Sequence, residues 1–148
     1  MTNMPEPTNR REGILARLAE LLSGCGVPIE RNRMVDITPE SLPCIILRDG
    51  DEEAAPPGGA PPQRLLERWR MTPEIEAYVS LRNSPAPNAE LNALYEKILA
   101  QLAGDAALSA MLAQGTGIEG ARYSPAYAEG RTDIAGFSLS IDLVYDKK

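Results

Sequence analysis

Leu42-Pro43-Cys44-Ile45-Ile46-Leu47-Arg48-Asp49-Gly50-Asp51-Glu52-Glu53 is the stretch that decides how this chain reads. Its first half is apolar and carries two isoleucines, the character of a buried strand. Pro43 suits the first residue of that strand, where a missing N–H matters least. Its second half is a burst of acid. Behind it, residues Pro56 to Pro62 hold four prolines and two glycines, a composition that supports no packed element. The core pattern is therefore expected to stop between Asp49 and Gln63. That leaves a mobile, acidic, Pro/Gly-rich hairpin tip over 49–63. Hairpins that only close a core do so in two to five residues. The excess length points to docking.

Pattern returns beyond the tip. Arg64 to Trp69 reads as the outward arm of a second long strand ending at Leu81. Ile75, Ala77, Val79 and Leu81 share one face of it, while Glu74, Glu76, Tyr78 and Ser80 share a wetter one. Upstream, residues 1–8 read as a loose arm. Asn9 with Glu12 three positions on predicts a capping box. Ile14, Leu15, Leu18, Leu21 and Leu22 then lay one apolar stripe along a helix over about 9–23. Gly24, Gly26 and Pro28 stop it. Val27 to Arg33 is extended, and Asp36 to Pro43 is a connection. Gly13 sits early in the helix, where it costs about 1 kcal/mol relative to alanine.

Downstream, Asn88 is expected to cap a helix over about 89–103, striped by Leu91, Leu94, Tyr95, Ile98 and Leu102 and ended by Gly104. Asp105 caps a shorter helix, with Leu108, Met111 and Leu112 inward and Gly115 as its stop. Ile118 to Ala128 is extended and Gly130 to Asp133 turns. Phe137, Leu139, Ile141 and Leu143 alternate with Ser138, Ser140 and Asp142 in a final half-buried strand. The order predicts one α+β domain over 9–146. It is an antiparallel or mixed sheet packed on one face by two or three helices. Regular strand–helix–strand crossovers are missing, which excludes a doubly wound nucleotide-binding fold.

The totals narrow the chemistry. A chain of 148 residues, 43% hydrophobic and 24% charged, buries about 70% of its unfolded surface without a metal or disulfide staple. Its net charge of −6 argues against a nucleic-acid or membrane role, since both need a Lys/Arg excess. No run approaches the ~18 apolar residues of a membrane helix. The N-terminal residues show no secretory pattern, so a cytoplasmic protein is expected. Cys25 and Cys44 form no Cys-x-x-Cys pair and read as reduced structural thiols. Histidine is absent, which removes Ser/His and Cys/His nucleophile systems and the usual neutral-pH base. Paired carboxylates or a lysine remain possible in principle, the best residues being Asp/Glu pairs such as Asp49 with Asp51. No nucleophile or cofactor loop accompanies them.

Asp49, Asp51, Glu52 and Glu53 offer oxygens for a divalent cation, but lack the spacing of a calcium loop. Charge runs are most often solvated; the functional alternative is a docking surface for a basic partner. Gly115-Thr116-Gly117-Ile118-Glu119-Gly120 follows a helix and lacks Gly-Lys-Ser/Thr, so it reads as a connection. Trp69, Tyr78, Tyr123 and Tyr127 are either core or interface anchors. No cofactor and no metal is expected.

Arg11-Glu12-x-Ile14-Leu15-x-Arg17-Leu18, Arg31-Asn32-Arg33, the stretch from Leu42 to Glu53, and Met71-Thr72-Pro73-Glu74-Ile75 come in this order, followed by a Leu-rich helix pair and a closing hairpin. The whole resembles the tail terminator proteins of long-tailed bacteriophages and phage-derived gene-transfer particles, over about 9–146. The resemblance implies an α+β subunit that assembles into a ring, typically a hexamer. Such a ring sits on the last layer of the tail tube, stops its polymerisation, and offers its other face to the head–tail connector. It implies partners in the tail tube protein, the connector and itself, a place in the virion tail or neck after assembly in the bacterial cytoplasm, and no catalysis.

On this basis the candidate interface residues are Arg31, Arg33, Arg48, Asp49, Asp51, Glu52, Glu53, Trp69 and Arg70. The long strand over 64–81 is the expected donor to a neighbour through edge pairing. Two alternatives stand beside it: a neck or head-completion ring protein, and a small non-viral adaptor domain.

Overall fold

The computed structural model describes residues 9–59, 61–113, 116–126 and 132–147. The loose arm expected over 1–8 and the Gly115 stop lie outside them. So does the turn from Gly130, up to residue 131.

Helix α1 spans Arg10–Ser23, and Asn9 caps it by accepting the Glu12 N–H at 3.2 Å. The reciprocal half of the expected capping box gives way to a stronger use of Glu12. Its carboxylate takes two hydrogen bonds from the Arg31 guanidinium, at 2.7 and 3.1 Å. Ile14, Leu15, Leu18, Leu21 and Leu22 are buried as the stripe requires. Strands follow as β1 (Ile29–Arg31), β2 (Cys44–Ala54) and β3 (Arg68–Ser80). Helices α2 (Pro87–Leu102) and α3 (Ala106–Met111) come next, then β4 (Ile118–Ala126) and β5 (Ile134–Asp146). Helix α2 begins earlier than expected. Pro87 takes its first position and Ala86 the cap, so Asn88 is not the cap. Proline's fixed φ suits that first position. Asp105 caps α3 by accepting the Leu108 N–H at 2.8 Å.

The strands form one mixed sheet in the order β1-β2-β3-β5-β4, with β1 parallel to β2 and every other pair antiparallel. This is a single α+β domain, as the element order predicts. All three helices contribute to one core on one sheet face. Ile45, Leu47, Met71, Ile75, Ala77, Val79, Phe137, Leu139, Ile141, Leu143 and Tyr145 supply the sheet side. Each fully buried aliphatic side chain there is worth about 1.5–3 kcal/mol. The wetter face is only partly wet. Cys44, Ile46, Tyr78 and Ile134 are buried on it beneath Ile37 and Leu42 of the connection before β2. Tyr78 and Ser80, expected on the solvated side, are therefore buried.

Two expectations about the central hairpin are corrected. The acidic residues do not form an unpaired tip, because β2 continues to Ala54. Asp51, Glu52, Glu53 and Ala54 pair with Thr72, Met71, Arg70 and Trp69. A bulge between Arg48 and Asp51 makes this possible. Gly50 holds it with φ +71, and a Cβ there would sit 1.9 Å from the Thr72 carbonyl oxygen. The loop proper is thus shorter than 49–63 and lies beyond Ala54. The second correction concerns the long strand. Over 68–80, β3 is paired on both sides, with β2 and with β5. It has no free edge to donate.

Candidate interface

The bulge decides where the acidic side chains go. Before it, Cys44, Ile46 and Arg48 lie on the sheet face opposite the helices. One extra residue reverses the alternation, so that Asp51 and Glu53 take that face and Glu52 turns under the helices. The nine candidate residues consequently fall into three groups.

The first group lies at the start of the bulge. Arg31 Nη2 donates to Asp49 Oδ1 at 3.2 Å while the same guanidinium holds Glu12. The Asp49 N–H donates to Asn32 Oδ1 at 3.0 Å. This ties α1, β1 and β2 together. Arg33 and Arg48 clamp the connection after β1. Arg33 donates to the Val35 and Asp36 carbonyls at 3.1 and 3.0 Å and to Glu30 at 2.9 Å. Arg48 donates to the Arg33 carbonyl at 3.0 Å and forms a close pair with Glu76. Glu76 also accepts from the Tyr78 hydroxyl at 2.6 Å. Burial and the adjoining carboxylate push that phenol well above its ordinary range.

The second group faces away from the helices. Arg70 lies 3.5 Å from Glu53 and 3.6 Å from Glu119. Asp51, Glu52, Glu53, Arg70 and Thr72 line a shallow hollow of about 340 Å³, although the Glu52 carboxylate reaches Tyr145 on the other face. Thr72 also donates to Asp142 at 2.9 Å, and Arg122 donates to the same carboxylate at 2.7 and 3.0 Å. Those partners hold the Asp142 carboxyl below its ordinary range, Arg122 contributing most.

The third group lies on the helix face. Glu52 accepts from the Tyr145 hydroxyl in a short bond, and Arg11 and Lys147 approach it at 3.5 and 3.4 Å. Lys147 also stands 4.3 Å over the Trp69 ring, whose N–H donates to the Leu66 carbonyl at 2.8 Å.

The candidates therefore do not make one patch. Asp51, Glu53 and Arg70 share a hollow, Glu52 and Trp69 brace the opposite face, and Arg31, Arg33, Arg48 and Asp49 fix a loop. Most of their charges are matched within the chain. Such partly exposed pairs are worth about 0–1 kcal/mol each and serve register more than stability. Among the described residues, no three His, Cys, Asp or Glu side chains gather as a metal site. A larger cavity of about 560 Å³ lies under the Pro/Gly loop, and its arginines, Arg64 and Arg68, are already held by Glu67 and Asp146.

Thr72, Glu119, Arg122 and Asp142 escaped the sequence reading. The alternation of Ser138, Ser140 and Asp142 puts those three on one face, but not which strand lies beside them. No protein-family model matches the chain, and no curated protein matches it either.

Proposed function

We propose that the chain is a structural assembly protein. Copies form a ring, a hexamer by resemblance, that caps a phage tail tube, ends its polymerisation and presents its other face to the head–tail connector. Its place is then the tail or neck of the particle, its partners are itself, the tube protein and the connector, and it is not an enzyme. The observation that carries this is the stretch Leu42–Glu53, the most telling part of the resemblance. From Cys44 on it runs as a strand with a glycine-held bulge, and Asp49, Glu52 and Glu53 pair with Arg31, Lys147 and Arg70. Such a strand suits a scaffold that holds surfaces. Among the described residues no helix is long and apolar enough to cross a membrane.

The test is a mixing experiment. Tail tube protein is polymerised with and without the purified chain and imaged by electron microscopy. Capping predicts shorter tubes bearing extra density at one end. Tubes of unchanged length with bare ends would remove the proposal.

A further inference from the structure

The sheet has two edges, β1 and β4, and their spare backbone groups match. On β1, the Asn32 N–H donates to the Leu47 carbonyl and the Pro28 carbonyl accepts from the Ile45 N–H. Residues 28, 30 and 32 therefore face β2. By the two-residue alternation Ile29 and Arg31 point their N–H and C=O groups outward. On β4, Pro125 has no N–H to give β5 and so occupies an outward position, as proline in an edge strand does. Tyr123 and Ala121 then face outward as well. Each edge thus offers two full backbone units, two residues apart.

We infer that the β1 edge of one copy of this chain adds antiparallel to the β4 edge of the next, with Ile29 opposite Tyr123, Glu30 opposite Arg122 and Arg31 opposite Ala121. The inference rests on the ring proposed above and specifies its joint. Two pairings fit this one register, and exposed apolar side chains mark the same edges. Ile29 and Tyr123 both lie on the helix face, because their partners Ile45 and Leu139 belong to the core, so apolar meets apolar. Glu30 and Arg122 both lie on the other face, by their partners Ile46 and Ser140. Their side chains are 51% and 56% exposed, leaving room for a further partner of opposite charge. The exposed apolar side chains Met34 and Val35 follow β1, and Ile118 and Tyr123 lie on β4. Four of the large apolar side chains in water thus flank the two edges. The competing joint, β4 on a second β4 about a two-fold axis through Arg122, sets Arg122 against its own copy and would close a dimer rather than a ring.

The full chain carrying Glu30→Cys with Arg122→Cys tests the register. Its native mass is measured first, then diamide is added and the product run on a non-reducing denaturing gel. The expected result is a multimer in solution and a covalent ladder extending beyond the dimer, with neither single variant giving the ladder. Dimers from Arg122→Cys alone would overturn the β1–β4 joint in favour of the two-fold one. A native multimer that yields no ladder would also overturn it while leaving the ring intact. A monomer of normal melting temperature would remove both. A second variant keeps the joint testable if the double one unfolds. Ala121→Pro removes an outward N–H and none from β5, so it should shift the chain to monomer with secondary structure retained. An Ala121→Pro chain that still assembles would contradict the pairing.

Discussion

Gly50 is the residue on which the acidic half of β2 depends. At φ +71 an alanine is strained by about 1–2 kcal/mol, and its Cβ would overlap the Thr72 carbonyl. Gly50→Ala should therefore cost at least about 2 kcal/mol in urea denaturation, from strain and overlap together. The bulge was not legible in the sequence, where Asp49-Gly50-Asp51 looks like a turn. What makes it a bulge is Thr72, two strand positions away on a partner that no local pattern identifies. Asp105 is the opposite case. Its cap of α3 was legible, because Asp105 stands directly before an apolar helical stripe. Its bond to Arg17, at 2.6 and 2.9 Å, was not. Arg17 foremost, and then the Leu108 N–H, lower the Asp105 pKa from 3.8 to about 2. A depressed carboxyl stabilises the fold at pH values above its unfolded pKa. That contribution fades as pH falls from about 4 toward about 2. Asp105→Asn should lower stability at neutral pH and flatten this stretch of the acid limb, read as melting temperature against pH.

Elements were legible where their period was local. The stripe of α1, the alternation of β5 and the stripe of α2 each lie within a few turns or residues, and the structure reproduces them. The course of β2 past Leu47 and the central place of β3 were not, because charge on a paired strand resembles charge on a loop until its partner is known. Pairing also explains Gly136. A Cβ there would lie 2.3 Å from the Tyr78 ring and 2.6 Å from the Ala77 carbonyl, so β3 and β5 close only over a glycine. Gly136→Ala is expected to cost about 1–3 kcal/mol, the scale of overpacking. Chemical denaturation at fixed pH measures it, and an unchanged midpoint would mean that Tyr78 has another place to go. The nine candidate interface residues follow from the resemblance, which says nothing of the face each one takes. Strand alternation separates neighbours such as Glu52 and Glu53, and the bulge decides which of them takes which face, which no composition signal could anticipate.

At the scale of the molecule, one face of the sheet is sealed by helices and the other by a loop over only part of its length. On the remainder, β2 and β3 carry a charged hollow, and β1 and β4 are the two edges of the sheet. Self-association is the claim on which the proposed role depends, and native mass spectrometry of the full chain across a concentration series tests it most directly. A closed species at a fixed integer multiple of the 16.0 kDa chain, six for a hexamer, is expected to dominate as concentration rises. A single species of 16.0 kDa at every concentration would contradict it.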